Sequence, residues 1–385
     1  MTVHRRVRSR AAKTAAGVSA LVLGAGGASV AAVHATAAPA APAPVAAQSV
    51  CLRGTLAFDA ADSETAGKPV VTSAARNANW ELWGRTSASA AETRLATGLT
   101  SWRDGSFSAC HSAAKPMAQL RVKFLSSSTA TWRVVSDARS LAEYGFHSAQ
   151  LTGTSGDQNL GTVKVPTDLA LAWKTVDTAN RLWWKRANPD TPCWTRNEKA
   201  GACTPLTFVW KNDGKKGSWY DGGTGYVMLA GLDPRSQHLV LHEAGHFLMG
   251  QIYRDKPPYV TNCSPHPMDK RTSATCALWE GFPDALAAHV MGDRRYVYSD
   301  GTVLDFDKTQ GWENGDQVEG RVAGALLDLW APGGPDGGTW DRTVEALGKT
   351  HPATFRDYFL TARPTTGLPV TGQTRALVNK HTMNY

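Results

Sequence analysis

Two histidines and a glutamate near the middle of the chain have the spacing of a metal site with a proton acceptor beside it. They lie in the segment His242-Glu243-Ala244-Gly245-His246. Helix positions four apart share one face, one turn above the other, so both imidazoles can reach a single ion. Zinc lowers the pKa of a bound water to about 7, and Glu243 can take the proton of that water. The pattern predicts one Zn²⁺ per chain, with His242 and His246 as ligands and Glu243 as the catalytic base.

A helix must present these side chains. We expect it to begin at Asp233-Pro234, because aspartate is a good N-cap and proline suits the first helical position. Gly250 is the expected end. The alternative interpretation is a helix whose two histidines are hydrogen-bonded structural residues.

A third ligand is expected from the segment 279–284. Pro283 should lie in the first turn of a helix, since a proline deeper inside breaks a backbone hydrogen bond. Glu280 would then lie at or just before the helix start, and its alternative role is a carboxylate stabilised there by the helix dipole. Asp284, four positions later, can accept a hydrogen bond from the outer nitrogen of a ligating histidine.

Residues 229–290 resemble the gluzincin metallopeptidases, in which the His-Glu-x-x-His pattern precedes a glutamate ligand on a second helix. An aspartate often follows that glutamate by four residues. The resemblance implies an α+β, zincin-like catalytic domain with His242, His246 and Glu280 as zinc ligands. It also implies that Glu243 is the general base and that Asp284 orients a ligand.

The chain departs from the gluzincin pattern at two places. Pro283 stands where small residues are common, and 34 positions separate His246 from Glu280, more than in thermolysin-like enzymes. Another group of zinc peptidases is excluded, because Ile252 stands where that group has a third histidine ligand.

Substrate contacts are expected from the strand at 225–230, directly before the metal helix. If that strand is a sheet edge, an extended peptide can pair with it near Tyr226 and Met228. An ordinary buried strand is the alternative. The donor to the developing oxyanion stays open among Tyr226, Tyr253, Tyr296, Tyr298 and His289.

The first fifty residues are expected to direct export. A basic start (Arg5, Arg6, Arg8, Arg10 and Lys13), an apolar run and small residues predict a secretory signal peptide at 1–38, followed by an Ala/Pro-rich linker at 39–50. The alternative is a membrane anchor, but the run has few large side chains. The chain has 41 basic and 33 acidic residues, and five basic residues lie in this segment. The remaining 36 against 33 give +3, so we expect no nucleic-acid partner and no stable membrane anchor.

The six cysteines all follow the predicted signal, and an even count in an exported chain favours disulfides. We expect neighbouring cysteines to pair, although fifteen pairings are possible. The expected pairs are Cys51 with Cys110, Cys193 with Cys203, and Cys263 with Cys276. A cysteine zinc site is the alternative, but the sequence has no Cys-x-x-Cys pair.

Residues 51–165 read as short strands with alternating large and polar side chains, which predicts an all-β, antiparallel sandwich domain. The segments 95–100 and 104–108 resemble the transthyretin-like, carboxypeptidase-regulatory-type modules. Residues 166–385 are expected to form the catalytic domain. The fourteen tryptophans are scattered, so most should be core residues, with a sugar-binding surface as the alternative.

Together these features predict a secreted, extracellular zinc metalloendopeptidase, a monomer acting on peptides or proteins. Two alternatives stay open: a zinc hydrolase of a non-peptide amide or ester, and a secreted binding protein with a structural zinc site. A structural site is usually closed by four protein ligands, whereas a catalytic one keeps an open position.

Overall fold

The computed structural model describes residues 48–128, 131–254 and 256–385. The predicted signal peptide and residues 39–47 of the predicted linker lie outside these ranges. The last three linker positions are not linker, because residues 48–50 pair antiparallel with 111–113 in a sheet. No helix within the described ranges is both long and apolar enough to cross a membrane.

Strands dominate the first half of the described chain, where large and polar residues alternate. In chain order they are β1 Gln48–Ala61, β2 Val70–Ala74, β3 Asn79–Arg85, β4 Thr93–Leu99, β5 Ser106–Ala113, β6 Gln119–Leu125, β7 Ser127–Ser128, β8 Trp132–Val135, β9 Gly145–His147, β10 Gln158–Lys164, β11 Leu206–Lys211, β12 Trp219–Asp221, β13 Tyr226–Ala230, β14 Arg295–Val297 and β15 Val303–Asp305.

Two four-stranded sheets are built from eight of the first ten strands; the other two, β7 and β8, belong to a third sheet. One has the order β10-β1-β2, with β5 on the N-terminal part of β1, and the other has the order β4-β3-β6-β9. Phe107 of β5 and Phe124 of β6 are in contact, with ring centroids 5.1 Å apart. The expectation of wholly antiparallel pairing is wrong for β1 and β10, which pair in parallel. The long excursion between these two strands permits that geometry.

A third sheet carries the strands nearest the candidate site, in the order β12-β13-β11-β8-β7. Its central strands β8, β11 and β13 are parallel, and five of the six residues of β11 are buried. Strand β12 pairs antiparallel with β13, so the edge position belongs to β12. The expectation that the 225–230 strand is a sheet edge is therefore wrong.

The helices follow mainly in the second half of the chain. They are α1 Ala170–Lys185, α2 Gln237–Ile252, α3 Ala274–Met291, α4 Glu319–Trp330, α5 Asp341–Thr350, α6 Phe355–Asp357 and α7 Gln373–Lys380. Helix α2 starts later than expected, since Asp233–Arg235 is a separate 3₁₀ turn. Its N-cap is Ser236, whose side chain accepts a hydrogen bond from the Leu239 amide.

Pro283 lies inside α3, not in its first turn as the sequence suggests, because Ser273 caps the helix ten residues earlier. The proline packs directly on α2 at Gly245. A Cβ atom at Gly245 would lie 2.8 Å from Cα and Cβ of Pro283. A Cβ atom at Gly281 would likewise lie 2.6 Å from the Glu319 carbonyl oxygen of α4. These two glycines let α3 lie close to both α2 and α4.

Candidate metal centre and active site

Three donor atoms from α2 and α3 converge at the crossing of these helices. The Nε2 atoms of His242 and His246 are 3.2 Å apart. Oε2 of Glu280 lies 3.3 Å from the first and 3.0 Å from the second. All three residues are at least nine-tenths buried. Tetrahedral zinc bonds of about 2.0–2.1 Å separate two ligand atoms by roughly 3.3–3.4 Å, so the donor set and its spacing fit a zinc ion.

The surroundings of these residues favour a cation between them. Burial acts to raise the pKa of Glu280, but the two histidines hold that pKa well below its usual range, so the carboxylate is ionised. Nδ1 of His242 lies 2.7 Å from Oδ1 of Asp284, a fully buried carboxylate. This contact directs Nε2 of His242 towards the other two donors. The structure thus brings together the four residues expected to bind or orient the metal.

Glu243 lies beside the donors and lines the same cavity, whose volume is about 330 Å³. The residue is 8% exposed, and burial raises the pKa of its carboxyl group. A raised pKa makes a carboxylate a better proton acceptor. The placement of Glu243 is therefore suited to proton transfer at a group held in the cavity.

A second histidine–carboxylate pair, which was not predicted from the sequence, lines this cavity. Nδ1 of His266 lies 3.2 Å from Oε2 of Glu319, the first residue of α4. The histidine side chain is 39% exposed, whereas the glutamate side chain is 4% exposed. Its hydrogen bond with Glu319 raises the pKa of His266 to about 9. The cavity that contains the candidate ligands is therefore also lined by a histidine whose pKa is raised.

A disulfide bond holds the segment that carries His266 close to the candidate site. The disulfide between Cys263 and Cys276 joins this segment to the first turn of α3, and Cys263 Sγ lies 3.7 Å from Glu280 Oε1. The other disulfides join Cys51 to Cys110 and Cys193 to Cys203. All three pairings confirm the prediction that neighbouring cysteines pair.

The candidate oxyanion donors separate into two groups. Tyr296 and Tyr298 line the cavity. Tyr253 is fully buried and donates its hydroxyl to the Pro352 carbonyl oxygen at 2.9 Å. His289 packs against Trp330 and Trp340 at the far end of α3. Tyr253 and His289 are therefore wrong as candidates, because neither reaches the cavity.

The two residues expected to contact substrate lie one strand away from the cavity. Tyr226 and Met228 belong to β13, and neither is among the described residues that line the cavity. Trp219 and Tyr220 of the edge strand β12 do line it. The ring of Tyr220 stacks on His246, with centroids 6.3 Å apart. A strand of three residues is too short to show a period in the sequence, so β12 could not be predicted.

Comparison with known proteins identifies two regions of the chain. Residues 51–172 match the mycolysin middle domain, and residues 186–382 match the mycolysin C-terminal domain. The candidate ligands, Glu243 and the His266–Glu319 pair all lie in the second region.

Comparisons with curated proteins and with solved structures give no further relative on which to argue. No curated protein matches the chain. Among solved structures, a 9R-lipoxygenase from Cyanothece PCC8801 is matched with 14% identity and a TM-score of 0.19, over 38% of this chain and 24% of that chain. The chain spans about a quarter of that lipoxygenase chain, and so weak a likeness carries no argument about fold or function.

The two domain matches together cover most of the residues after position 50, and the chain belongs to the mycolysin family, a family of secreted peptidases.

Proposed function

We propose that this chain is a zinc-dependent metallopeptidase that hydrolyses peptide bonds outside the cell. The observation that carries the proposal is the convergence of three buried donor atoms, 3.0–3.3 Å apart, on a cavity that also contains Glu243. His242, His246 and Glu280 would hold one zinc ion. Three protein ligands leave an open position, which is the arrangement of a catalytic rather than a structural zinc site.

Zinc held there would lower the pKa of water and polarise a carbonyl group. Glu243 would take a proton from the attacking water at its carboxylate and pass it to the departing amine nitrogen. Its burial among α2 and α3 supports this role, since a desolvated carboxylate holds a proton more readily. Asp284 would keep His242 in the tautomer that presents Nε2 to the cavity.

His266 would donate to the oxygen on which negative charge develops. Glu319 engages Nδ1 of His266, which leaves Nε2 to donate towards the cavity. A pKa raised to about 9 keeps the ring protonated at neutral pH. A fixed cationic donor of this kind stabilises a transition state without having to reorganise.

An extended peptide would bind along β12. This strand lies at the edge of its sheet and contributes Trp219 and Tyr220 to the cavity. Backbone pairing with an edge strand does not depend on the substrate's side chains. The two four-stranded sheets before it would form an accessory β-sandwich within 51–165, but without β7 and β8 of that range, which belong to the third sheet.

The test is cleavage of a diverse peptide mixture by the zinc-loaded protein, read by mass spectrometry beside Glu243→Gln. We expect cuts from the intact protein and none from the variant, although both bind equal zinc. Glu345→Gln, the same change at a glutamate of α5 that is 38% exposed and does not line the cavity, serves as a matched control that keeps activity. Cleavage by zinc-loaded Glu243→Gln would overturn the role of Glu243. Hydrolysis of simple esters or amides without any peptide cleavage would instead assign a non-peptide substrate.

A further inference from the structure

A second cleft, separate from the candidate active site, lies between the turns of the first sheets, helix α1 and the end of α3. Its volume is about 590 Å³. Its lining includes Arg76, Trp102, Arg103, Arg181, Trp184 and Lys185. Met291 also lines it, eleven residues after Glu280 and thus roughly 16 Å further along α3. None of the residues proposed for catalysis lines this cleft.

Two exposed tryptophans form one wall. Trp102 is 44% exposed and Trp184 is 51% exposed, and their ring centroids are 4.8 Å apart. Trp184 is held in place because its Nε1 donates to Oδ1 of the buried Asn180 at 3.0 Å. Large aromatic surfaces left in water and fixed in orientation mark binding sites more often than chance exposure does.

Cations surround these rings. Arg76 is fixed by a bidentate pair with the buried Asp177, at 2.6 and 2.7 Å. The guanidinium of Arg103 lies 4.7 Å from the centroid of the Trp102 ring. Arg181 and Lys185 form no ion pair with any other described residue. Asp177 offsets the charge of Arg76, whereas Arg103, Arg181 and Lys185 have no carboxylate partner among the described residues, so the ligand of the cleft should be an anion.

The shape of the cleft restricts the kind of anion. Its described lining residues come from α1, α3 and two turns, and none of them offers an unpaired strand edge to a peptide backbone. A volume of this size suits a ligand of a few sugar-sized rings, whereas single-stranded nucleic acid is usually bound along an extended basic groove. The electron-rich faces of the two indoles attract the C–H groups on the face of a sugar ring.

We propose that this cleft binds an acidic carbohydrate, with sugar rings against Trp102 and Trp184 and their carboxylate or sulfate groups on the arginines and Lys185. The site is independent of the peptidase proposal, since the two cavities share no residue. Binding at this cleft would hold the protein on an acidic glycan while leaving the metal centre open.

The test is calorimetric titration of the full chain with tetragalacturonate and, as a neutral control of the same length, galactotetraose. We expect binding of the acidic sugar only. Trp184→Ala and Arg181→Gln should each weaken that binding about tenfold or more, as is usual for central aromatic and arginine contacts. Arg139→Gln, which changes an exposed arginine outside the cleft, should leave the Kd within about twofold.

Three results would overturn the proposal. They are equal binding of the neutral sugar, undiminished binding by both folded cleft variants, and tighter binding of oligothymidylate through the same residues. Arg181 is a surface residue, so its variant keeps the test valid if Trp184→Ala fails to fold. The Glu243→Gln protein should bind the acidic sugar normally, which separates failure of this proposal from failure of the peptidase assignment.

Discussion

Gly245→Ala should disrupt the metal centre without touching a ligand. The new Cβ would lie 2.8 Å from Cα and Cβ of Pro283, and ordinary contact begins at 3.4 Å. Because Pro283 Cα is backbone, no rotamer change can relieve the clash. The crossing of α2 and α3 must then widen by about 0.6 Å. Overpacking of this kind typically costs about 1–3 kcal/mol.

The widening should appear mainly as weaker zinc binding, because His242 and His246 lie on α2 and Glu280 lies on α3. If zinc binding requires the close crossing, 1–3 kcal/mol corresponds to roughly 5- to 150-fold weaker affinity. The metal-free protein should change less, since alanine gains about 1 kcal/mol over glycine inside a helix.

Competition with a chromogenic chelator measures the zinc affinity of the variant. Gly348→Ala in α5 is the matched control, since a Cβ atom there meets only ordinary contacts at 3.4 Å or more. This control should bind zinc like the natural protein. A Gly245→Ala protein whose zinc affinity lies within a factor of two of the natural protein would refute the account of the helix crossing.

Three further predictions concern named side chains. Asp284→Asn should lower zinc affinity or activity by about 10- to 100-fold in the chelator and peptide assays. The control Asp336→Asn, which breaks the buried pair with Arg363, should lower only the stability of the fold. Equal zinc affinity of the two variants would count against the orientation of His242 by Asp284. His266→Ala should lower kcat by about 10²–10³ with a smaller change in KM. In the natural protein, activity should decline as pH rises through about 9, where His266 loses its proton. Glu319→Gln should move that decline to lower pH. A pH–activity profile that does not move in this variant would contradict the pairing of His266 with Glu319. Burial lowers the pKa of His289 from 6.5 to about 4. The unfolded chain therefore takes up this proton first as pH falls from 6.5 to 4, and metal-free protein should lose about 3 kcal/mol of unfolding free energy over that window. Urea titrations of His289→Phe at several pH values should show a smaller loss of unfolding free energy over this window. The same pH dependence in the variant and the natural protein would rule out His289 as the cause.

Most of the correct predictions from the sequence rest on the spacing of residues that are close together in the chain. The i, i+4 relation of His242 and His246 depends only on helix geometry, and the structure places both on one buried face of α2. The strands β3 and β6 were predicted from alternating large and polar residues, and each strand has only seven residues. The cysteine pairing was predicted from the order of the cysteines, since each pairs with the next one, even Cys51 and Cys110 across 59 residues.

Tertiary packing decided what the sequence could not predict. Pro283 sits in a helix interior, against its propensity, and its ring packs on Gly245, a residue 38 positions away. His266 lies in an irregular segment without any period, and a glutamate 53 residues later positions it. The edge strand β12 has only three residues. In each case the deciding contact is distant in sequence and leaves no local pattern.

The most direct test of a catalytic zinc site between α2 and α3 is anomalous diffraction at the zinc edge from crystals of the zinc-loaded protein. We predict one strong peak about 2.0–2.2 Å from His242, His246 and Glu280, with no fourth protein ligand and with Glu243 facing the open position. A peak elsewhere, or a fourth protein side chain closing the coordination sphere, would contradict the assignment of a catalytic zinc site.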